Sequence, residues 1–440
     1  MKNFWLVTYN IFFLPFFWIT AKVFSPFNHK IKSGFKGRRE LFNHLEAKMQ
    51  TLDISRKNIL IHCSSLGEFE QAKPILDELD KTNNFNFIVS FFSPSGFNHS
   101  KLDAALNSRI IKTYLPFDTK SNSERFIDII KPSAVLFIKY DLWFNLLNIL
   151  SSKKVFSALV NAVYDEKKFK WKFFATKSYK KTVNMLLSFI ATADETDKLY
   201  YKSLLNGTVE VESVGDTKYE RISKAKKVAE VRTLINGNIL TDKNVFVVGS
   251  SWDKDDEVLF PVIDKINSNG HTEEHHLMTI IAPHEPTEDT LEEIEYEFQT
   301  RFKNLKPIRY SNINRYKDEN VILIDCIGIL MTLYKYADLA YVGGGFQTGM
   351  HNVLEPAGYG IPVLFGDQKL SEDAENLIRK GGGIAVDNQE ELYKYIVTLL
   401  NNTNERKVIG KKSFSVFDEK NDASKKIAEI VNNKTAGITR

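Results

Sequence analysis

One alternation constrains this chain more than anything else in it: short apolar runs separated by longer amphipathic stretches, and the pattern occurs twice. In the first half NILIHC, FNFIVSFFS, IIKTYLPF, SAVLFIKY, KVFSALVN and LSFIATA read as buried strands. Between them lie helix-like segments such as FEQAKPILDELDKT, SNSERFIDIIK and LWFNLLNILSSK. Strands joined by helices of that length are parallel, because a parallel pair needs a long crossover rather than a tight hairpin. After VEVESVGD (209–216) comes a charged helical joint, YERISKAKKVAEVRTLI, near 216–243. The alternation then restarts with NVFVVGS, LMTIIAP, NVILIDC, LAYVGGG and PVLFGD. A chain of 440 residues exceeds one ordinary core. The expectation is α/β with two facing Rossmann-like domains, 28–220 and 221–440, each on a parallel sheet. The last helices, from about 388, are free to cross back to the first domain.

Residues 1–27 form a separate piece. The run FWLVTYNIFFLPFFWITAKVF (4–24) is just long enough to span a bilayer as a helix, although it carries Asn10, Pro15 and Thr20. It precedes His29, Lys30, Lys32, Lys36, Arg38 and Arg39, and residues 1–50 hold eight Lys/Arg against two Glu. Such a collar suits the cytoplasmic side and anionic headgroups. A membrane anchor with a cytoplasmic body is therefore expected; whether the segment spans or lies in the interface stays open. Overall net charge is only +4, which argues against a general nucleic-acid binder. Cys63 and Cys326 sit in different halves, so a disulfide framework is excluded and a reducing compartment fits.

The densest chemical signal is AYVGGGFQTGMHNVLEPAGYGIPVLFGD (340–367). A strand runs into three glycines and a loop, with a helix expected from about His351–Asn352. Gly344 and Gly345 would let backbone approach a ligand, and a helix start offers N–H groups to a phosphate. This is not the dinucleotide fingerprint, since counting from Gly343 the last glycine position is Thr348. Asn352 and Glu355, three apart, share a helix face from which Glu355 can take two ribose hydroxyls. Three other strand ends converge on that edge, carrying Ser250 and Ser251, then Pro283, His284 and Glu285, then Asp325 and Gly328. The carboxyl edge of one sheet suits a nucleotide.

In the first half, IHCSSLGEFEQAKPIL (61–76) places Glu68 after a strand and a serine–glycine turn. A carboxylate there either favours the helix dipole, at roughly 0.3–1 kcal/mol, or serves as a base in a cleft. HTEEH (271–275) formally matches H-x-x-E-H but falls in a polar turn, so no metal is expected from it. His62 and Cys63 point to opposite faces of a strand, which makes Cys63 a buried residue rather than a nucleophile. The run KKFKWKFFATKSYKK (167–181) reads as a solvated helix face.

With strand–SSLGE in front and GGGF…G-x-HN-x-LEPA behind, the chain resembles the 3-deoxy-D-manno-octulosonic acid (Kdo) transferases of lipopolysaccharide synthesis, which are membrane-anchored GT-B glycosyltransferases. The likeness runs in order through HCSSLGE (62–68), DLWFN (141–145), NA (161–162), GDTKYE (215–220), GSS (249–251), AP (282–283), D-x-x-G (325–328) and HNVLEPAGYGIPVLFG (351–366). It implies an inverting transfer of Kdo from CMP-Kdo, a substrate rather than a cofactor, to the phosphorylated, acylated disaccharide precursor of lipid A. It also implies a site at the inner membrane and no metal. On matching positions it makes Glu68 the general base and Lys218 a transition-state stabiliser. Pro283, Ile327, Gly328, Ile329, Asn352, Val353, Leu354 and Glu355 fall on the CMP site. Four positions depart from the pattern. Lys139 and Asp141 stand where glutamates are usual, His284 replaces the arginine after Pro283, and Val163 replaces the arginine after Asn-Ala. Lys139, Lys218 or His284 would have to compensate. The competing expectation is a GT-B transferase using a different nucleotide sugar on a lipid.

Overall fold

The structure, a computed structural model, describes residues 2–101, 109–164, 177–269, 276–347, 349–418 and 422–437. HTEEH lies outside these residues, as does most of the lysine-rich run 167–181. Two compact units divide the chain: Met1–Arg221 with Lys420–Arg440, and Ile222–Glu419.

The first unit carries β1 (Lys57–Cys63), β2 (Phe85–Phe91), β3 (Ile110–Tyr114), β4 (Ala134–Ile138), β5 (Phe156–Ala162), β6 (Phe189–Thr192) and β7 (Glu210–Ser213). They form one sheet in the order β3-β2-β1-β4-β5-β6-β7, and every pair is parallel. The near-continuous Ile, Val, Leu and Phe of these runs follow from burial on both faces of a parallel sheet. Strand order reverses between β1 and β4, which are register neighbours from Ile59↔Ala134 to His62↔Phe137. At such a switch point the loops leave in opposite directions and open a crevice at the carboxyl ends.

The helix Ala423–Thr435 belongs to this unit too. Ile427, Ala428 and Val431 are buried in the cluster that holds Phe69, Ala72 and Ile75 of the helix Leu66–Asp80. Its two ends are tied down, by Glu220 accepting from Ser424 N and Oγ and by Lys57 Nζ donating to the Thr435 carbonyl at 2.7 Å.

Residues Lys2–Phe24 form a continuous helix, long and apolar enough to cross a membrane, with a π-helical turn at Tyr9–Phe13. One face docks on the first unit through polar bonds. Tyr9 donates its hydroxyl to buried Asp118 at 3.0 Å, Asn10 and Asn145 exchange amide bonds at 3.1 and 2.8 Å, and Trp5 Nε1 reaches Ser178 at 2.9 Å. The other face leaves Phe4, Ile11, Phe12, Phe16, Ile19 and Val23 exposed.

The second unit repeats the plan with β8 (Lys243–Ser251), β9 (His276–Pro283), β10 (Pro307–Arg309), β11 (Val321–Leu323), β12 (Leu339–Val342), β13 (Val363–Gly366) and β14 (Gly383–Val386). Their order is β10-β11-β9-β8-β12-β13-β14, all parallel, with the reversal between β8 and β12. Two of these strands were not expected. β10 offers too short an apolar run, and β14 hides within GGGIAVD, where glycines speak against a strand.

Candidate active site

Each unit presents its chemistry at its own switch point. In the first, β1 ends at Cys63 and the helix Leu66–Asp80 begins three residues later. Ser65 and Glu68 form a capping box there. Glu68 Oε2 accepts from the backbone N–H of Ser64, and from that of Ser65 at 3.3 Å. Both sequence-level options for Glu68 therefore meet in one residue: it caps a helix, and it stands at the crevice. Burial pushes its carboxyl above the ordinary range, the nearby Asp141 charge adds to this, and the N–H bonds only partly offset it.

Across the switch point Asp141 follows β4. It accepts from His62 Nε2 at 2.9 Å, while His62 Nδ1 faces Ser90 Oγ at 3.0 Å. A carboxylate can only accept, so Nε2–H donates to Asp141, and in that tautomer Nδ1 accepts a hydrogen bond from the Ser90 hydroxyl. Burial alone would raise the Asp141 carboxyl, but the bond and charge of His62, with hydrogen bonds from Trp143 and Ser64, together hold the group below the usual range. Two adjacent carboxyls are thus pushed apart, Asp141 ionised and Glu68 poised to take a proton, which is the pattern of an acid–base assignment. Cys63 is buried, as its strand position implies.

Lys218 is positioned from the same edge. Buried Thr217 donates its hydroxyl to the Gln71 carbonyl at 2.6 Å, and Asn161 brackets it by donating to that hydroxyl at 2.7 Å and accepting its N–H at 3.2 Å. Lys218 Nζ stands 3.4 Å from Asp216. Lys139 (φ 68°) and Asn161 (φ 54°), at the ends of β4 and β5, adopt left-handed backbone. Such conformations cost a non-glycine residue about 1–3 kcal/mol and gather at functional edges.

In the second unit the glycine run has a different task from the one expected of it. A Cβ on Gly343 would lie 2.2 Å from the Ser250 carbonyl oxygen, and one on Gly345 2.3 Å from that of Gly366. These glycines admit neighbouring backbone of the chain itself. Gly344 (φ 94°) donates its N–H to Asp255 at 2.8 Å, and the N–H groups of Gly343, Gly349 and His351 bond to Gly249, Gly344 and Gly343 carbonyls. Four N–H groups of the loop are thus already engaged within the chain. The helix after the loop starts at Leu354 rather than at His351–Asn352 and lasts a single turn, Leu354–Ala357. Pro356 fits that first turn, and Gly358 and Gly360 close it. Asn352 Oδ1 accepts from Leu354 N at 3.2 Å and its amide donates to Glu355 Oε1 at 3.0 Å, so the pair is joined as their spacing implies.

Ser250 (φ 55°) turns the end of β8, and buried Ser251 pairs with Pro283 across the sheet. Gly328 (φ 86°) carries an exposed Ile327 on one side and a buried Ile329 on the other, beyond β11. His284 is not isolated. It stacks on Trp252 with ring centroids 4.3 Å apart and on His351 at 4.4 Å, and Trp252 Nε1 donates to His351 Nε2 at 3.0 Å. Burial and the proximity of His284 lower the His351 pKa. Sequence reasoning missed this three-ring stack, because its members come from three different strand ends. It also missed Asp255, which joins Trp252 N, Tyr341 Oη and Gly344 N.

Residues 35–221 match the family model described as 3-deoxy-D-manno-octulosonic-acid transferase (kdotransferase). A bifunctional glycosyltransferase/methyltransferase of Fusobacterium nucleatum is 29% identical over 371 residues, covering 82% of this chain. The chain spans only 55% of that relative's length. A 3-deoxy-D-manno-octulosonic acid transferase of Haemophilus influenzae is 24% identical, with 85% of this chain and 86% of the relative covered. Among solved structures, UDP-GlcNAc 2-epimerase from Neisseria meningitidis superposes with a TM-score of 0.57 at 13% identity, over 86% of this chain and 100% of that one. MurG from Acinetobacter baumannii gives 0.51 at 12%, over 86% and 99%. At such identity these structures speak for the fold alone, which is GT-B with a parallel seven-stranded sheet in each unit and an N-terminal apolar helix. The match to the 3-deoxy-D-manno-octulosonic-acid transferase model runs through Glu68, Asp141, Asn161 and Lys218 in the first unit, and the similarity to curated transferases of that name extends over most of the chain.

Proposed function

We propose that this protein is an inverting glycosyltransferase that moves Kdo from CMP-Kdo to the phosphorylated, acylated disaccharide precursor of lipid A. The observation that carries the proposal is Glu68, a carboxyl of raised proton affinity at the switch point of the family-matched unit. In this mechanism it takes the proton of the acceptor hydroxyl as that oxygen attacks the anomeric carbon. The bond from that carbon to the CMP phosphate breaks, and the configuration inverts. General-base assistance of this kind is worth typically about 10²–10⁴-fold. Asp141, held ionised by His62, keeps Glu68 basic.

CMP is assigned to the second unit, against Pro283, the Ile327–Ile329 loop and Asn352–Glu355. Because the N–H groups of Gly343, Gly344, Gly349 and His351 already have partners, the leaving phosphate's charge is assigned within this unit to the His284 side chain. No cofactor or metal takes part in this scheme. We further assign the N-terminal helix to the membrane plane, at the inner leaflet of the cytoplasmic membrane. Its buried bonds to Asp118 and Asn145 keep one face on the protein while its apolar face enters the interface, the behaviour of a monotopic amphipathic helix.

Mass spectrometry of products tests the reading: detergent-purified protein is mixed with CMP-Kdo and the tetraacylated lipid A precursor. One added Kdo mass is expected. Release of sugar from a UDP-sugar but not from CMP-Kdo overturns the donor assignment.

A further inference from the structure

An apolar groove lies inside the first unit, beside the carboxyl ends of β2 and β3, with about 380 Å³ of free volume. Phe17, Ala21 and Phe24 of the N-terminal helix form one wall, Ile31 and Phe35 of the helix His29–Gly37 a second, and Phe92, just past β2, a third. Two of the residues lining it are cationic, Lys30 and Arg38, and none is acidic. We propose that this groove holds one acyl chain of the phosphorylated lipid acceptor, a subsite that rests on the acceptor class assigned above.

Three observations support this occupant. The groove is preformed: Arg38 donates Nε to the Leu115 carbonyl, Nη1 to Gly34 and Nη2 to Phe92, at 2.8, 3.0 and 2.7 Å, and so rivets the helix His29–Gly37 to the ends of β2 and β3. It opens beside the exposed apolar face of the N-terminal helix, and Lys30 on its lining is exposed. An amphiphile with a slender apolar tail and an anionic head matches both the lining and the charge. Finally, the groove wall and the Glu68 loop form one piece. Ser93, which lines the groove, donates its N–H to the Ser64 carbonyl at 2.9 Å, and Ser64 N in turn donates to Glu68. Gly96 packs so close to that loop that a Cβ would lie 3.1 Å from the Ser65 carbonyl carbon. A tail in the groove therefore fixes where its headgroup stands relative to the base. Bulk lipid needs only the exposed helix face, whereas this cavity is attached to the catalytic loop.

The test uses the full chain and the tetraacylated disaccharide bisphosphate with brominated acyl chains, below its aggregation concentration. Trp143 packs at a tilt on Phe92 (4.8 Å) and edges Phe17 (6.3 Å), two residues of the groove wall, so a bromine in the groove quenches its fluorescence. Quenching is expected in the wild type and is expected to shrink in Trp143→Phe. Ala21→Phe, with Thr20→Phe as a second plug, is expected to weaken lipid affinity by about tenfold, at roughly fourfold per excluded methylene. Unchanged CMP titration and melting show that the plugged chains fold. Wild-type affinity in both plugged variants overturns the proposal. So does quenching by brominated phosphatidylglycerol vesicles that the disaccharide lipid fails to displace, which would assign the groove to bulk lipid. Because the readout is binding, absence of Kdo transfer counts against the proposed reaction and leaves the groove to be judged by quenching.

Discussion

Glu68→Gln separates the helix-capping role of Glu68 from the general-base role proposed for it. As a capping residue, Glu68 accepts from the N–H groups of Ser64 and Ser65. Glutamine keeps a carbonyl oxygen at the same reach, and it is the accepted alternative in a capping box. The neutral amide also escapes the burial and the Asp141 repulsion that raise the Glu68 carboxyl. The expected stability change is therefore within about 1 kcal/mol, or some 2–4 °C in melting temperature for units of this size. As a base the change is drastic, because an amide cannot accept the proton, and turnover is expected to fall about 10²–10⁴-fold. Glu68→Ala loses both roles and should show the same loss of turnover with a further drop of about 1 kcal/mol in stability. The assay pairs thermal denaturation with initial rates at saturating CMP-Kdo. Near wild-type turnover in Glu68→Gln, with a melting point lowered only in Glu68→Ala, would mean that the residue is a helix cap and nothing more.

Further predictions follow from the same contacts. With its proton affinity raised, Glu68 must lose its proton to act, so the rate falls as pH drops through its shifted value; Asp141→Asn removes a raising charge, and the acid limb of the pH–rate profile should move to lower pH. Asp118 is fully buried and pushed up to about 6, so the folded chain holds an extra proton below that value and stability rises as pH falls from 7 towards 4. Melting at pH 7 and pH 5 should show this gain in the wild type and not in Asp118→Asn; equal pH responses would refute it. Gly343→Ala forces a methyl to within 2.2 Å of the Ser250 carbonyl. It should cost about 1–3 kcal/mol or more and weaken CMP binding in calorimetry, while wild-type affinity and melting would show that the loop yields.

Much of the fold was legible because a parallel sheet buries both faces and writes its strands as continuous apolar runs, from NILIHC to PVLFGD. β10 and β14 escaped for the converse reason: three or four residues at sheet edges need little apolar length, and Gly383 opens β14. That Glu68, Lys218 and Asn352 lie in the segments that follow strands was legible from the order of the apolar runs. The Trp252–His284–His351 stack was not, since no spacing law relates positions that meet only after three crossovers. What packs against the glycine loop was not legible, because sequence shows that a Cβ is missing and not what occupies its place.

The helix Ala423–Thr435 has a consequence for biosynthesis. Its Ile427, Ala428 and Val431 complete a core whose other members lie between Ile59 and Val214. The second unit, residues 222–419, is thus an insertion within the first. On a translating ribosome the inserted unit has its whole sequence available before the unit that encloses it. The helix Leu66–Asp80 must wait, with part of its apolar flank uncovered, until residue 431 has been made. A chain cut short near residue 420 would hold a second unit complete in sequence and a first unit with an open seam, and proteases and chaperones would find it there.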